Sequence, residues 1–291
     1  MTITQRPRRS ALYLPASNAR AIEKARSLPC DVIILDLEDA VSPEMKATAR
    51  AQAVQAVTQG GFGHREVVIR ANSLDSPWGA EDLGAIANAG ADAILLPKVS
   101  SPDSLIQART ALGSSNLALW AMIETCEAVI RLDRIVSTAN DVGLACLIAG
   151  TNDLAKEMRC RPGSNRNPIL SILTQIVLAG RMAGLAVLDG VSNVIDDEGL
   201  IEAECAQALE WGFDGKTLIH PMQIAPANRV FTPPASEVAW AEAIVAAFAD
   251  PLNGGKGAIR LDGKMVELLH LEEAQRTLAI AALCVSRDTA G

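Results

Sequence analysis

The sequence predicts a closed (β/α)8 barrel followed by a C-terminal segment that a barrel does not need. Three observations lead there. Eight short apolar runs recur between residues 11 and 221, separated by longer Ala-rich, helix-like stretches. The runs are apolar almost throughout rather than alternating, as parallel strands covered on both faces are. Seven of the eight also end in a polar or charged group, as expected where strand ends converge on one mouth.

The runs follow in order. "ALYLPA" (11–16) opens the barrel, and "VIILDLED" (32–39) ends in Asp36, Glu38 and Asp39. Carboxylates are almost never fully buried unless paired or bound to a metal. Three of them closing an apolar run therefore require a solvated end, a cationic partner, or both. "EVVIRAN" (66–72) carries Arg70, "AILLPKV" (93–99) Lys98, "LALWAMIET" (117–125) Glu124 and "GLACLIAGTNDL" (143–154) Asp153. "AVLDGV" (186–191) carries Asp189 and "KTLIHP" (216–221) His220. For any one of these residues, a loop start or a helix cap explains the position as well. Seven placed alike favour a shared mouth.

After the eighth unit, "FTPPAS" (231–236) breaks the pattern. We draw the boundary there, with a catalytic barrel over 1–235 and a lid or oligomerisation segment over 236–291. Ser236 is positioned to cap a helix running to about Asp250, with Val238, Ala241, Ile244, Val245 and Phe248 on one stripe. The glycine-rich "DPLNGGKGA" follows, then "IRLDGKMVE" with an Asp-Gly turn between two short β-like pieces, then a last helix over about 268–284.

Composition narrows the function. The 291 residues are 49% hydrophobic, ample for a large core, and the formal net charge of −8 argues against nonspecific nucleic-acid or anionic-membrane binding. Aromatics are 3%, too few for a base-stacking platform. No apolar stretch reaches the roughly 18–20 residues that span a bilayer. The N-terminal stretch "MTITQRPRRSALYLPAS" has too short an apolar part for a signal peptide. The six cysteines show no CxxC pair and no zinc-like spacing, which reads as reduced thiols in a cytoplasmic protein.

The strand-end residues suggest their own chemistry. Glu124 and Asp153 close neighbouring runs, and adjacent strands lie about 4.8 Å apart, so both carboxylates can reach one ion. Magnesium is commonly held by one or two carboxylates plus water and substrate oxygens. Two helix N-terminal acids are the competing reading. Arg70 could neutralise the acids of the second run, hold a substrate carboxylate through its planar fork, or do both. Lys98 suits a salt bridge as well as a substrate contact; a Schiff-base role would need a desolvated amine, which nearby acids oppose. His220 reads best as a structural histidine orienting a loop. No GxSxG, Walker loop, GxGxxG or HExxH occurs.

Taken together, "RSALYLPASNARAIEKA", "DVIILDLEDAV", "VVIRANSLDSPWGAEDL", "AILLPKV", "AMIETCEAV", "GTNDLA", "LDGVSNVIDDEGL", "GFDGKTLIHPMQI" and "LDGKMVE" resemble the citrate lyase β-subunit-like family. That family belongs with the malyl-CoA and citramalyl-CoA lyases of the HpcH/HpaI aldolase superfamily. The resemblance runs in order over nearly the whole chain. It implies a TIM barrel, a homotrimer or dimer of trimers, and Mg2+ bound by Glu124 and Asp153. It implies Arg70 as the substrate-binding arginine and Glu38 and Asp39 as an acidic pair beside the metal, in reach of substrate; Lys98 stays a candidate substrate contact on its position alone. The C-terminal segment is similar to a lid that covers a neighbouring subunit's site and supplies an acid/base carboxylate. Relatives read "DGKMID" where this chain reads "DGKMVEL", so Glu267 stands where the family has a catalytic Asp, and Asp262 is a possible substitute. A shift of about 1 Å in such a group can cost roughly a hundredfold.

The reaction the resemblance implies is Mg2+-dependent carbon–carbon cleavage of a β-hydroxyacyl-CoA thioester, of malyl-CoA or citramalyl-CoA type, to acetyl-CoA and a small 2-oxo acid. The alternatives are an acyl-CoA thioesterase or a citryl-acyl-carrier-protein lyase. From another class, a catalytically weak protein that binds metal and 2-oxo acid is the remaining alternative.

Overall fold

The computed structural model describes residues 6–163 and 165–289, with side chains to Arg287. Residues 1–5, which begin the stretch considered above as a leader, lie outside the described residues. The chain divides into two compact units, one over Arg8–Phe231 and one formed by Thr232 onward with Arg6 and Pro7.

The first unit is a closed, all-parallel eight-stranded barrel. Its strands are β1 Ser10–Pro15, β2 Val32–Asp36, β3 Glu66–Arg70, β4 Ala93–Leu96, β5 Ala118–Ile123, β6 Leu144–Ala149, β7 Ala186–Asp189 and β8 Gly215–Leu218. Each expected run coincides with one strand to within a residue at the strand's start, β1 and β8 beginning one residue earlier than their runs. Each strand pairs with the next in sequence, and β1 closes on β8 with Ser10 opposite Lys216.

Alternation explains why the runs look uniformly apolar. Val32, Ile34, Val68, Leu95, Trp120, Cys146, Ile148 and Leu188 fill the barrel interior. Their strand neighbours Ile33, Leu35, Ile69, Ile94, Leu119, Leu147 and Val187 pack outward under the helices. Both sets are buried, so no polar face remains to betray a period of two.

At the strand N-termini the interior is closed by an ion pair that the sequence did not announce. Arg8 Nε and Nη2 donate to Glu66 Oε2 and Oε1 at 2.7 and 2.8 Å, and the guanidinium lies 4.9 Å from the Trp120 ring centroid. Both residues are buried.

In the second unit, helices Ala235–Ala249 and Leu268–Thr289 pack around a small core of Ala241, Ile244, Ile259, Val266 and Ala274. Between them lies an antiparallel hairpin, β9 Ala258–Leu261 and β10 Lys264–Glu267. Asp262 and Gly263 form its two-residue turn with φ of 49° and 79°, the positive pair a type I′ hairpin requires. Two expectations are corrected here. The first helix starts at Ala235, with Pro234 in the cap position and no side-chain cap, so Ser236 lies inside the first turn. Pro234 is extended at the cap (φ −67°, ψ 154°), and its carbonyl accepts from the N–H groups of Glu237 and Val238 at 2.9 and 3.1 Å. The last helix runs on to Thr289, past 284.

Four of the six cysteines, Cys30, Cys146, Cys205 and Cys284, are buried. Among the described residues, no helix is long and apolar enough to cross a membrane.

Removing one partner of a buried ion pair leaves the other charge uncompensated and costs about 3–5 kcal/mol. Glu66→Ala should therefore lower the denaturant midpoint far more than an Arg8→Met, Glu66→Leu double variant. Chemical denaturation of the three proteins checks this.

Candidate active site

The carboxylates that end β2 find their partner on β3. Asp36 and Arg70 are directly opposite in the parallel register. Arg70 Nε donates to Asp36 Oδ1 at 2.6 Å and Nη2 to Oδ2 at 2.7 Å, with both residues buried. Asp36 also accepts from the backbone N–H groups of Glu38 at 2.8 Å and Ala40 at 3.0 Å, which fixes the loop after β2. The bidentate edge of Arg70 is therefore taken by the protein's own acid. Of the two roles open in the sequence, neutralisation is the one its fork performs. Burial alone would lower the Arg70 pKa, but Asp36, with Tyr13 and Glu38 behind it, holds it above its ordinary value.

The remaining guanidinium nitrogen faces the rest of the cluster. Arg70 Nη1 lies 2.9 Å from Glu38 Oε2 and 3.7 Å from Asp39 Oδ2. The Glu38 contact is close enough for an ion pair but is not aligned as a hydrogen bond, so that oxygen keeps no hydrogen-bond donor. Glu38 Oε1 accepts from Lys98 Nζ at 3.0 Å. Burial raises the Glu38 pKa and Asp39 adds to this, against the pull of Arg70 and Lys98. Lys46, which the sequence reading passed over, donates through Nζ to the carbonyls of Leu37 and Glu38 at 2.8 and 2.7 Å. A lysine ten residues beyond the acidic strand end at Asp36 was the only hint.

Glu124 sits at the end of β5, 3% exposed. Its Oε1 accepts from the backbone N–H of Lys98 at 2.7 Å, and Lys98 adopts a left-handed φ of 53° that turns this N–H toward it. Such a backbone costs on the order of 1–3 kcal/mol. Gly150 follows β6 because a side chain cannot fit: a Cβ there would lie 2.3 Å from Glu124 Cβ. Asp153 comes three residues later, in the first turn of helix Thr151–Glu157. Asn152 and Asn193 exchange amide hydrogen bonds at 3.2 and 3.0 Å, tying that turn to the loop after β7. Burial pushes the Glu124 pKa up to about 8, helped by the charges of Glu38 and Asp153 and opposed by the Lys98 N–H and Arg70.

Arg70, Glu38, Asp39, Lys98, Glu124 and Asp153 thus form one electrostatic neighbourhood. Asp189 does not join it. By alternation it faces outward with Val187, fully buried, and it is held by Lys216 Nζ at 2.8 Å and Arg166 Nη1 at 2.6 Å. Its position at a strand end misled because the parity of the strand, not its end, decides the direction. His220 is structural as expected: its Nδ1 accepts from Met222 N–H in a capping box with Gln223. Asp262 and Glu267 belong to the second unit. Asp262 is exposed in the hairpin turn, and the Glu267 N–H donates to His270 Nδ1 at 3.0 Å.

Among the described residues, no group of three or more His, Cys, Asp and Glu side chains is arranged to hold a metal. Glu124 with Asp153 suits instead an ion that takes its other ligands from water and substrate, the habit of magnesium. A carboxyl that cannot ionise comfortably beside two other acids is the donor set a divalent cation would relieve.

Residues 9–221 match the HpcH/HpaI aldolase/citrate lyase family. The chain belongs to that family. It is 44% identical over 275 residues to a (3S)-malyl-CoA thioesterase of Cereibacter sphaeroides, covering 94% of this chain and 95% of the relative. It is 30% identical over 293 residues to the citrate lyase β subunit of Escherichia coli, covering 97% and 96%. Among solved structures it is similar to the CitE protein of Mycobacterium tuberculosis in complex with magnesium, acetoacetate and coenzyme A. That match has a TM-score of 0.75 at 26% identity and covers 94% and 97% of the two chains. Family membership and the barrel agree with the resemblance carried by the sequence motifs.

The raised Glu124 value has a sign that can be checked. Without divalent ions the folded protein holds this proton to about pH 8, whereas the unfolded chain releases it near the ordinary 4.5. The folded state binds the extra proton in between, so this group's contribution to stability falls as pH rises through that window. In chelator, Glu124→Gln should gain in Tm relative to wild type from pH 5 to pH 9, and calorimetry at both values measures it.

Proposed function

We propose that this protein is a magnesium-dependent enzyme that cleaves the CoA thioester of a short hydroxy acid of the malyl-CoA type. The observation that carries the reading is Glu124, buried at the mouth of the barrel with Oε1 held by the Lys98 N–H and with Asp153, Arg70 and Glu38 as charged neighbours. The relatives support it: one is a (3S)-malyl-CoA thioesterase, and a solved neighbour holds magnesium, acetoacetate and coenzyme A together.

Magnesium at Glu124 and Asp153 would supply positive charge for the oxygens of the small acid and for negative charge developing during cleavage. The chain's own residues do the rest. The Lys98 N–H fixes Glu124 Oε1, leaving Oε2 directed toward the Gly150 side. The Lys98 ammonium, 44% exposed, draws anionic substrate groups toward the mouth. Arg70, with its fork committed to Asp36, contributes a fixed positive charge through Nη1 rather than a movable clamp. Glu267, on the segment proposed as a lid over a neighbouring copy in a trimer, is the carboxylate we assign to proton transfer.

Two bonds could break. Hydrolysis, with water taking the acyl group and CoA leaving as the thiol, gives malate and CoA. Cleavage of the carbon–carbon bond gives acetyl-CoA and glyoxylate. The 44% identity to a thioesterase puts hydrolysis first. The citrate lyase β kinship keeps carbon–carbon cleavage as the second reading. In hydrolysis Glu267 would take the proton of the attacking water; in carbon–carbon cleavage the substrate hydroxyl would lose its proton to solvent as the aldehyde forms, and protonated Glu267 would give one to the carbon of the departing enolate.

Incubation with malyl-CoA and Mg2+ should release CoA and malate in equal amounts, with chelator abolishing turnover. Acetyl-CoA and glyoxylate in equal amounts would instead establish the lyase. Asp153→Ala should lose about a hundredfold or more of either activity, and Asp153→Ala with wild-type turnover would sink the site. Glu267→Ala should lower kcat by roughly 10²–10⁴ without changing Mg2+ affinity measured by calorimetry.

A further inference from the structure

Tyr13 is the one tyrosine of the chain, and the reading above does not use it. It lies on β1 opposite Ile34, two positions before the level of Asp36, and packs on the barrel's inner core. Its ring faces the guanidinium of Arg70, with 5.0 Å from Cζ to the ring centroid. Its hydroxyl oxygen is buried and finds no hydrogen-bond partner among the described residues.

That orphan is conspicuous because acceptors are close. Asp36, Glu124 and Glu38 all act on the phenol electrostatically. Asp36 already accepts four hydrogen bonds. One Glu38 oxygen accepts from Lys98 Nζ and one Glu124 oxygen from the Lys98 N–H. A buried hydroxyl left without a partner costs about 1–3 kcal/mol, so natural interiors rarely keep one without a use. Burial raises the phenol pKa well above its ordinary value, with Asp36, Glu124 and Glu38 acting in the same direction and Arg70 against. The group therefore keeps its proton and can serve as a donor, not as a base.

We propose that the Tyr13 hydroxyl is a substrate-binding hydrogen-bond donor, directed at a carboxylate or carbonyl oxygen of the small-acid end of the substrate. The assignment rests on the mouth being the substrate site, as proposed above. Depth selects which end of the substrate it meets. β1 places Tyr13 a layer below Asp36, inside the closed sheet, so a group that meets its hydroxyl would be the small-acid end and not the bulk of a CoA carrier. The donor would also discriminate: an analogue lacking that oxygen would leave the hydroxyl unpaired, which polar sites punish more than a missing methylene.

The test pairs Tyr13→Phe, which keeps the ring against Arg70 and deletes only the hydroxyl, with wild type. Without ligand, Tyr13→Phe should be at least as stable, with Tm higher by about 2–4 °C. With Mg2+ present, calorimetry should show it binding (S)-malate and oxaloacetate roughly tenfold to a hundredfold more weakly. As a measurement that needs no variant, wild type labelled with 3-fluorotyrosine carries one 19F resonance, and adding malate with Mg2+ should shift it. Equal affinity in Tyr13→Phe, or a 19F line that malate leaves in place, would overturn the assignment while leaving the proposed function standing. A lowered ligand-free Tm in Tyr13→Phe would also overturn it, since the hydroxyl would then serve the fold. Wild type that binds neither acid would remove the substrate reading and this assignment together.

Discussion

The arrangement of the barrel mouth depends on one contact, the buried bidentate pair between Asp36 and Arg70. It spans adjacent strands at matching register, so it forms as soon as β2 and β3 pair. Asp36 uses its remaining lone pairs on the N–H groups of Glu38 and Ala40, and this sets where the loop after β2 leaves the sheet. The loop places Glu38, Glu38 holds the Lys98 ammonium, and the backbone of Lys98 holds Glu124. A buried pair of this kind adds little net stability over well-packed apolar side chains. What it supplies here is position: a single geometry from which three other functional groups, Glu38, Lys98 and Glu124, follow.

That network leaves a deliberate imbalance. Asp36, Glu38, Asp39, Glu124 and Asp153 gather around Arg70 and Lys98, and the acids outnumber the cations. In a low dielectric the deficit appears as carboxyls that resist ionising, Glu124 most of all. The strained φ of Lys98 and the missing Cβ of Gly150 both serve Glu124, one by supplying a donor and one by making room. Two backbone peculiarities directed at one carboxylate are difficult to explain by folding alone, since a smaller apolar residue would need neither. They are intelligible if that carboxylate works on a ligand.

The fold was legible because a barrel repeats its message. Eight runs buried on both faces, separated by helices, have few alternative arrangements, and each run overlaps one strand. Strand ends were legible too, which is why Arg70, Glu38, Lys98, Glu124 and Asp153 could be named in advance. Direction and partnership were not. Asp189 ends its strand as Glu124 does, yet it faces the helices and is neutralised by Lys216 and Arg166. Parity hides when both faces are apolar. Arg70 could have served a ligand or an internal acid; only the register that sets Asp36 opposite it decides, and register is a property of two strands. Tyr13 could have been found from its inward parity with Ala11, but an aromatic in an apolar run reads first as packing.

The two ends of the barrel show how similar ingredients separate stability from chemistry. At the strand N-termini Arg8 and Glu66 satisfy each other through both carboxylate oxygens over the Trp120 ring. The orphan polar atom in that region, Trp120 Nε1, is a neutral donor with no charge beside it left open. At the C-terminal end an equally tight pair is surrounded by unfinished bonding: a Glu38 oxygen without a hydrogen-bond donor, a Tyr13 hydroxyl without an acceptor and a Glu124 that keeps its proton. Saturated polar groups rigidify, and unsaturated ones in the same low dielectric are available to a ligand at little reorganisation cost. The barrel is thus closed electrostatically at one end and open at the other. The open end is the one where strand ends and loops coincide, the face on which barrels of this kind build sites.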